Sequence, residues 1–279
     1  MNLTSIKNGI LLSGCDNFDP FVSCECGQCF RFNKISDDEY DMFACGRRLN
    51  IQKHKDGWFF ANIDEDEFKR EFYGYFDLER DYGAIIKSYS DDKHISSAAI
   101  EGGGIRIFRQ DPWETLVSFI ISQNNNIPRI KKIIESLCTL LGEEKNGYYS
   151  FPTAESIRKA GIDGLAPIKA GFRAKYIVSA AEMVASGEIS LEYLKVCGYA
   201  EALEILKRIK GVGDKVANCV LLFGFGYYEA FPIDVWVKRV INKYYGEGFD
   251  PAALGKYAGI AQQYLFYYER NIVSKNYSE

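Results

Sequence analysis

Lys215 lies just past a glycine hairpin, in the run Leu206-Lys207-Arg208-Ile209-Lys210-Gly211-Val212-Gly213-Asp214-Lys215-Val216-Ala217, and Asp234 follows in Phe231-Pro232-Ile233-Asp234. An apolar-patterned helix that stops at Gly-Val-Gly and restarts at once leaves backbone N–H groups pointing outward, ready for a phosphate. Gly211 can take the positive φ that closes the first helix. Gly213 leaves room for a ligand to approach the first N–H groups of the next helix, Val216 among them. Such a cradle grips a phosphate without reading sequence.

Each of these residues also has an ordinary reading. A Gly-x-Gly often only joins two helices, and Lys215 could be a solvated residue in a first turn. A cation there is disfavoured by the helix dipole, however, which helps the neutral amine that a nucleophile needs. Asp234 can be the N-cap of the helix beginning Val235-Trp236-Val237. That is compatible with chemistry, because an N-cap holds a carboxylate rigidly.

The elements that must position these groups fall into two halves. From about residue 8 to 62, short β-type runs (Ile10 to Leu12, Cys29 to Phe32, Tyr40 to Cys45, Leu49 to Gln52, Trp58 to Ala61) alternate with turn signals such as Asp56-Gly57, predicting an antiparallel sheet. Acidic Asp64-Glu65-Asp66-Glu67 opens a helix carrying Phe68, Phe72, Tyr75 and Phe76, which should pack on that sheet. Glu101-Gly102-Gly103-Gly104 is the best break, giving an N-terminal sheet domain over 1–104 and a helical region over 105–279. Asp111-Pro112-Trp113-Glu114 is a strong helix start. Further helices are expected at about 127–142, 153–160, 172–186, 200–210, 214–224, 234–245 and 251–269. The fold class expected is α+β, with the helix-hairpin-helix at about 203–224.

Composition narrows the function. The 279 residues are 47% hydrophobic with net charge −4, which argues for a globular protein and against one that coats nucleic acid with a broad basic surface. Between Ala202 and Lys243 seven basic residues face four acidic ones, so basic charge gathers locally around the hairpin. No apolar run approaches the roughly 18 to 20 residues of a membrane span, and no leader-type segment is evident. An intracellular monomer is expected, cytoplasmic if bacterial or archaeal and nuclear if eukaryotic. Eight cysteines, five of them early and three scattered, do not form a secreted disulfide framework. The Cys24-Glu25-Cys26-Gly27-Gln28-Cys29 cluster lacks a second ligand pair, so half-buried cysteines on a β-rich segment are expected rather than a metal site.

Residues 203–240 resemble the helix-hairpin-helix, Gly/Pro, Asp signature of the DNA glycosylase superfamily, in which a lysine at the position of Lys215 marks members that also nick the strand. Within it the chain most resembles the long, eukaryotic-like 8-oxoguanine DNA glycosylase/lyases. The likeness covers nearly the whole sequence: Gly27-Gln28-Cys29-Phe30-Arg31, Gln110-Asp111-Pro112, Ser122-Gln123-Asn124-Asn125-Asn126-Ile127-Pro128-Arg129-Ile130, Gly171-Phe172-Arg173-Ala174-Lys175-Tyr176, the hairpin, and Tyr257-Ala258-Gly259-Ile260-Ala261-Gln262 with Leu265-Phe266.

The resemblance implies that Lys215 attacks the deoxyribose C1′ and that Asp234 stabilises positive charge on the sugar, a Schiff base then permitting β-elimination. It assigns the damaged base to Gly27, whose C=O would accept the N7–H that guanine lacks, to Gln262 on the Watson–Crick edge, and to Phe266 and Cys219 on the two faces. Asn124, Arg129 and Arg173 would meet the cytosine opposite, Asn124 filling the vacated space and Phe172 wedging beside it. Gly211, Gly213 and Val216 would hold a phosphate of double-stranded DNA. No cofactor is implied. With no cysteine after Asp234, the iron–sulfur cluster of some relatives is not expected. Four positions depart from the pattern: Phe172 for tyrosine, Trp236 for a phosphate-contacting histidine, Asn218 for aspartate, and Phe223 for a smaller residue. Alternatives are a glycosylase for another oxidised or alkylated base and a noncatalytic DNA-binding module.

Overall fold

The computed structural model describes residues 1–273. Strands β1 (Asn2–Ile6), β2 (Gly9–Ser13), β3 (Phe32–Ser36), β4 (Glu39–Ala44), β5 (Arg47–His54) and β6 (Gly57–Ala61) form one antiparallel sheet in the order β1-β2-β6-β5-β4-β3. Alternation sets the register: Ile10 pairs with Phe60, Phe60 with Ile51, and Leu49 with Met42, so one face carries buried apolar side chains. Against that face lie Phe68, Phe72 and Phe76, all fully buried. They come from a helical stretch begun by a capping box between Asp64 and Glu67. The α+β expectation therefore holds.

Two local expectations change. The run Cys29 to Phe32 is not a strand; pairing begins at Phe32, and β1 is an additional edge strand. The reason lies upstream, where Asp19 caps a helical turn at Pro20–Ser23 that continues through Cys24–Gln28 and ends in left-handed Gly27 (φ 84°). The three clustered cysteines are accordingly buried on and just after a helical turn rather than half-buried on strands. Cys26 donates to the Ser23 carbonyl at 3.0 Å. Among the described residues no group of three or more His, Cys, Asp or Glu side chains is placed to hold a metal, and no helix is long and apolar enough to cross a membrane.

After Gly104 the fold is almost wholly helical, with helices at Pro112–Ser122, Ile127–Leu141, Ala174–Ala185, Tyr199–Lys207, Asp214–Val220, Val235–Val240 and Ala258–Tyr267. Asp111 caps the first of these with Pro at the start. Tyr82, Ile85, Ile95 and Ala98 precede the Gly102–Gly104 turn yet share the helical core, while Phe108 follows it and belongs to the sheet core. The two cores thus interlock across that turn. Buried Asp77 strengthens the junction by accepting from Arg80 at 2.7 Å, Arg109 at 2.6 Å and the Tyr82 hydroxyl at 3.1 Å.

Candidate active site

The helix Tyr199–Lys207 runs through a short turn to Gly211, where φ is 86° and an added Cβ would run into the Tyr176 ring. Only glycine fits this close approach. Gly213 has φ −103° and faces open space, so the N–H groups that begin the helix Asp214–Val220 are unobstructed, as a phosphate contact requires. Lys215 points from that helix toward the Pro112–Ser122 helix. Its Nζ donates to Ser122 Oγ at 3.3 Å and lies 5.1 Å from the Phe119 ring centroid.

Asp234 caps the next helix, Oδ1 accepting from the N–H groups of Trp236 and Val237, both at 2.9 Å. Lys215 and Asp234 line one cavity of about 50 Å³ together with Gly27, Phe119, Cys219, Phe223, Pro232, Gln262, Gln263 and Phe266. A larger cleft of 610 Å³ between the sheet and the Pro112–Ser122 helix contains none of the hairpin residues. Volume is therefore not what marks the chemistry here. The small cavity is distinguished by bringing a lysine, an aspartate and several aromatic and amide groups together from distant segments.

Each wall is held from behind. The fully buried Gln28 side chain donates to the carbonyls of Ser23 at 2.9 Å and Arg106 at 2.7 Å and accepts from Phe108 N–H at 2.7 Å. Gln263 donates to the Cys26 carbonyl at 2.6 Å. Between these two clamps Gly27 keeps its left-handed conformation, with Phe266 Cε1 3.3 Å from where a Cβ would stand. Burial pushes the Cys219 thiol up to about 11, despite the opposing charge of Lys215. Cys219 is a neutral thiol at physiological pH. Gln262 is buried, and its Oε1 has no hydrogen-bond partner among the described residues.

The expected opposite-strand residues sit on a neighbouring surface. Asn124 is exposed in the left-handed region (φ 47°), Phe172 is 48% exposed, and Arg129 is exposed beside the Asn126 cap. Arg173 is different, being buried: it donates to the carbonyls of Gln123, Asn124 and Ala170 through four hydrogen bonds. One of its five N–H groups is left for a ligand. Trp236 is stacked by Arg239 at 4.6 Å, and Phe223 stacks on Phe119 at 5.4 Å inside the cavity.

The residue pattern did not single out Ser122, Phe119, Pro232, Gln263 or Arg270 for the site. Ser122 lies within the asparagine motif, but nothing in that motif distinguishes a contact to Lys215 from a helix-end serine.

The sequence profile of the 8-oxoguanine DNA glycosylase N-terminal domain matches residues 11–116, and that of the HhH-GPD superfamily of base excision DNA repair proteins matches residues 117–253. A solved structure described as MBOgg1 with a low-affinity DNA ligand is 42% identical, covers 98% of this protein and 99% of its own length, and superposes with a TM-score of 0.91. The chain belongs to the 8-oxoguanine DNA glycosylase/lyase family of base excision repair enzymes. The Clostridium acetobutylicum 8-oxoguanine glycosylase/lyase, solved with double-stranded DNA carrying cytosine opposite 8-oxoguanine, is 38% identical over 99% of both proteins, with a TM-score of 0.91. The Saccharomyces cerevisiae N-glycosylase/DNA lyase is 35% identical over an alignment of 202 positions that covers 65% of this protein and 53%, about half, of the yeast enzyme. The family's sheet-plus-helices architecture is thus preserved here.

Proposed function

We propose that this protein excises 8-oxoguanine from double-stranded DNA, preferentially opposite cytosine, and cleaves the resulting abasic site. The observation that carries the reading is Gln262 Oε1, a buried acceptor without a partner among the described residues, in the same cavity as Lys215 and Asp234. An unpaired buried acceptor costs about 1–3 kcal/mol. Guanine-type bases present N1–H and N2–H donors on the edge that would meet it, whereas adenine presents an acceptor at N1.

Gly27 supplies the discrimination against undamaged guanine through its backbone carbonyl, which faces N7–H. Phe266 and Cys219 flank the base, and a neutral Cys219 thiol packs as an apolar face.

Once the base is seated, the Lys215 amine attacks C1′ while the Asp234 carboxylate, fixed by its two N–H contacts, stabilises positive charge on the sugar. The C1′–N9 electron pair leaves with the base, which takes the proton shed by the nitrogen; the nitrogen lone pair then breaks the C1′–O4′ bond, O4′ taking a proton from solvent water, and the ring-opened sugar carries an iminium. That iminium acidifies C2′–H, and β-elimination expels the 3′ phosphate. Asn124 fills the emptied stack with Phe172 wedged beside it. Arg129 and the one uncommitted N–H of Arg173 read the orphaned cytosine. Gly211, Gly213 and Val216 anchor a backbone phosphate. The protein acts as a monomer without an iron–sulfur cluster, in whichever compartment holds the genome.

Incubation with an 8-oxoguanine:cytosine duplex and borohydride should trap a covalent complex. No adduct with the parent protein, or equal adduct with Lys215→Gln, overturns the nucleophile assignment. Excision of a ring-opened or alkylated base with no action on 8-oxoguanine overturns the substrate.

A further inference from the structure

The last described helical segment, Tyr268–Val273, brings Arg270 behind the base pocket. Its Nη1 is shut off from solvent and has no hydrogen-bond partner among the described residues. The same nitrogen lies 3.3 Å from the point where a Gly27 Cβ would stand, and the guanidinium carbon is 5.6 Å from the Phe266 ring centroid. Gly27 and Phe266 both line the cavity proposed to take the base. A half-buried cation with one shielded, idle donor carries a desolvation cost unless something offsets it. Among the described residues no carboxylate pairs with this one.

We propose that Arg270 is an electrostatic positioning residue for base departure, taking up the negative charge that appears on the base as its glycosidic bond breaks. The inference rests on the reading of this cavity as the base site. Breaking C1′–N9 sends the bonding pair to N9, and the charge spreads onto the ring carbonyl oxygens until the proton shed by the Lys215 nitrogen neutralises it. Asp234 answers the positive charge left on the sugar. A fixed cation at the Gly27–Phe266 wall answers the other half of the same charge separation, in a place where low dielectric makes the interaction strong. Burial holds the Arg270 guanidinium below its ordinary range, with the Asp234 charge acting in the opposite direction. The group nevertheless stays protonated.

The test uses Arg270→Met, which retains an unbranched apolar side chain without the charge, and Arg270→Lys, which retains charge. Single-turnover excision is measured on duplexes carrying 8-oxoguanine and 8-oxohypoxanthine; the latter lacks the electron-donating exocyclic amine and leaves more readily as an anion. With Arg270→Met the 8-oxoguanine rate should fall about 10- to 100-fold, the range for a lost charge-assisted contact, with partial recovery in Arg270→Lys. The ratio of 8-oxohypoxanthine to 8-oxoguanine rates should rise, because chemistry then depends more on the leaving group. Borohydride trapping on a preformed abasic site, a step with no base to expel, reports whether the variant is folded. A slower Arg270→Met with an unchanged leaving-group ratio would reduce Arg270 to packing and overturn the inference alone. Absence of 8-oxoguanine excision by the parent protein would instead remove the reading on which it rests.

Discussion

Asn218 ties the helix of Lys215 to the loop of Asp234: its Oδ1 accepts the Phe231 N–H at 3.2 Å and the Tyr199 hydroxyl at 2.7 Å, while its Nδ2 donates to the Asp214 carbonyl at 2.8 Å. The segments carrying the proposed nucleophile Lys215 and its partner Asp234 are thus tied together by a neutral amide at the position where an aspartate is expected in the family. Asn218→Leu removes all three bonds without changing a group that touches substrate. Single-turnover excision should fall about 10- to 100-fold, as small misplacements do in oriented reactions, with little change in DNA affinity. A rate within about twofold of the parent, far short of that range, would mean that the loop is fixed by other contacts.

Gly27→Ala should separate the two activities. At φ 84° a side chain is strained, and the new Cβ would press on Phe266 and Arg270 at 3.3 Å. The Gly27 carbonyl, proposed to meet the base, would be displaced and the cavity narrowed. Excision of 8-oxoguanine should be lost by more than about 30-fold, equivalent to about 2 kcal/mol. Strand cleavage at a preformed abasic site should persist, since Lys215 and Asp234 lie on other segments. Equal loss of both activities would show that Gly27 acts through global folding.

The two hairpin glycines should behave differently. Gly211→Ala drives a Cβ into the Tyr176 ring and forces a residue to φ 86°. It should destabilise the protein by more than about 1 kcal/mol in denaturant titrations. Gly213→Ala meets open space at an ordinary φ. Its stability should stay within about 0.5 kcal/mol of the parent. Its DNA affinity should drop, however, because the methyl group occupies the approach to the helix N–H groups. An undiminished affinity for Gly213→Ala would place the phosphate elsewhere.

Stability should depend on pH through Glu114. Burial pushes this carboxyl up to about 7, with Asp111 adding to the shift and the Arg31 guanidinium, 3.4 Å away, opposing it. An acid whose pKa is raised on folding binds its proton more tightly in the native state. The contribution is therefore fully present below the unfolded value near 4.5 and is lost as pH rises to about 7. The side chain retains 22% exposure, so the full shift overstates the effect. A loss of about 1–3 kcal/mol across this window is expected. Denaturant midpoints measured from below the unfolded value to above the folded one should show that slope in the parent and a flatter one in Glu114→Gln; parallel curves would reject Glu114 as the origin.

Whatever depends on neighbouring residues was already written in the amino-acid order. The short β runs at Ile10 to Leu12 and Leu49 to Gln52, the acidic helix start at Asp64, the Asp111-Pro112 start, the glycine hairpin and the Asp234 cap are all local backbone preferences, and each forms as read. Lys215 and Cys219 share a cavity because i and i+4 share a helix face. The β assignment at Cys29 to Phe32 failed because a capped turn at Asp19-Pro20, closed by Gly27, overrode apolar content. Which distant residues meet is a matter for the folded molecule. Gly27 reaches Phe266 and Arg270 across more than two hundred intervening positions, Gln263 clamps Cys26, and Arg173 spends most of its donors on the asparagine loop. Such meetings are set by how two cores pack against each other, and no local periodicity encodes that. Chemistry at the pocket was therefore legible as residue types, whereas its geometry was a property of the packed molecule.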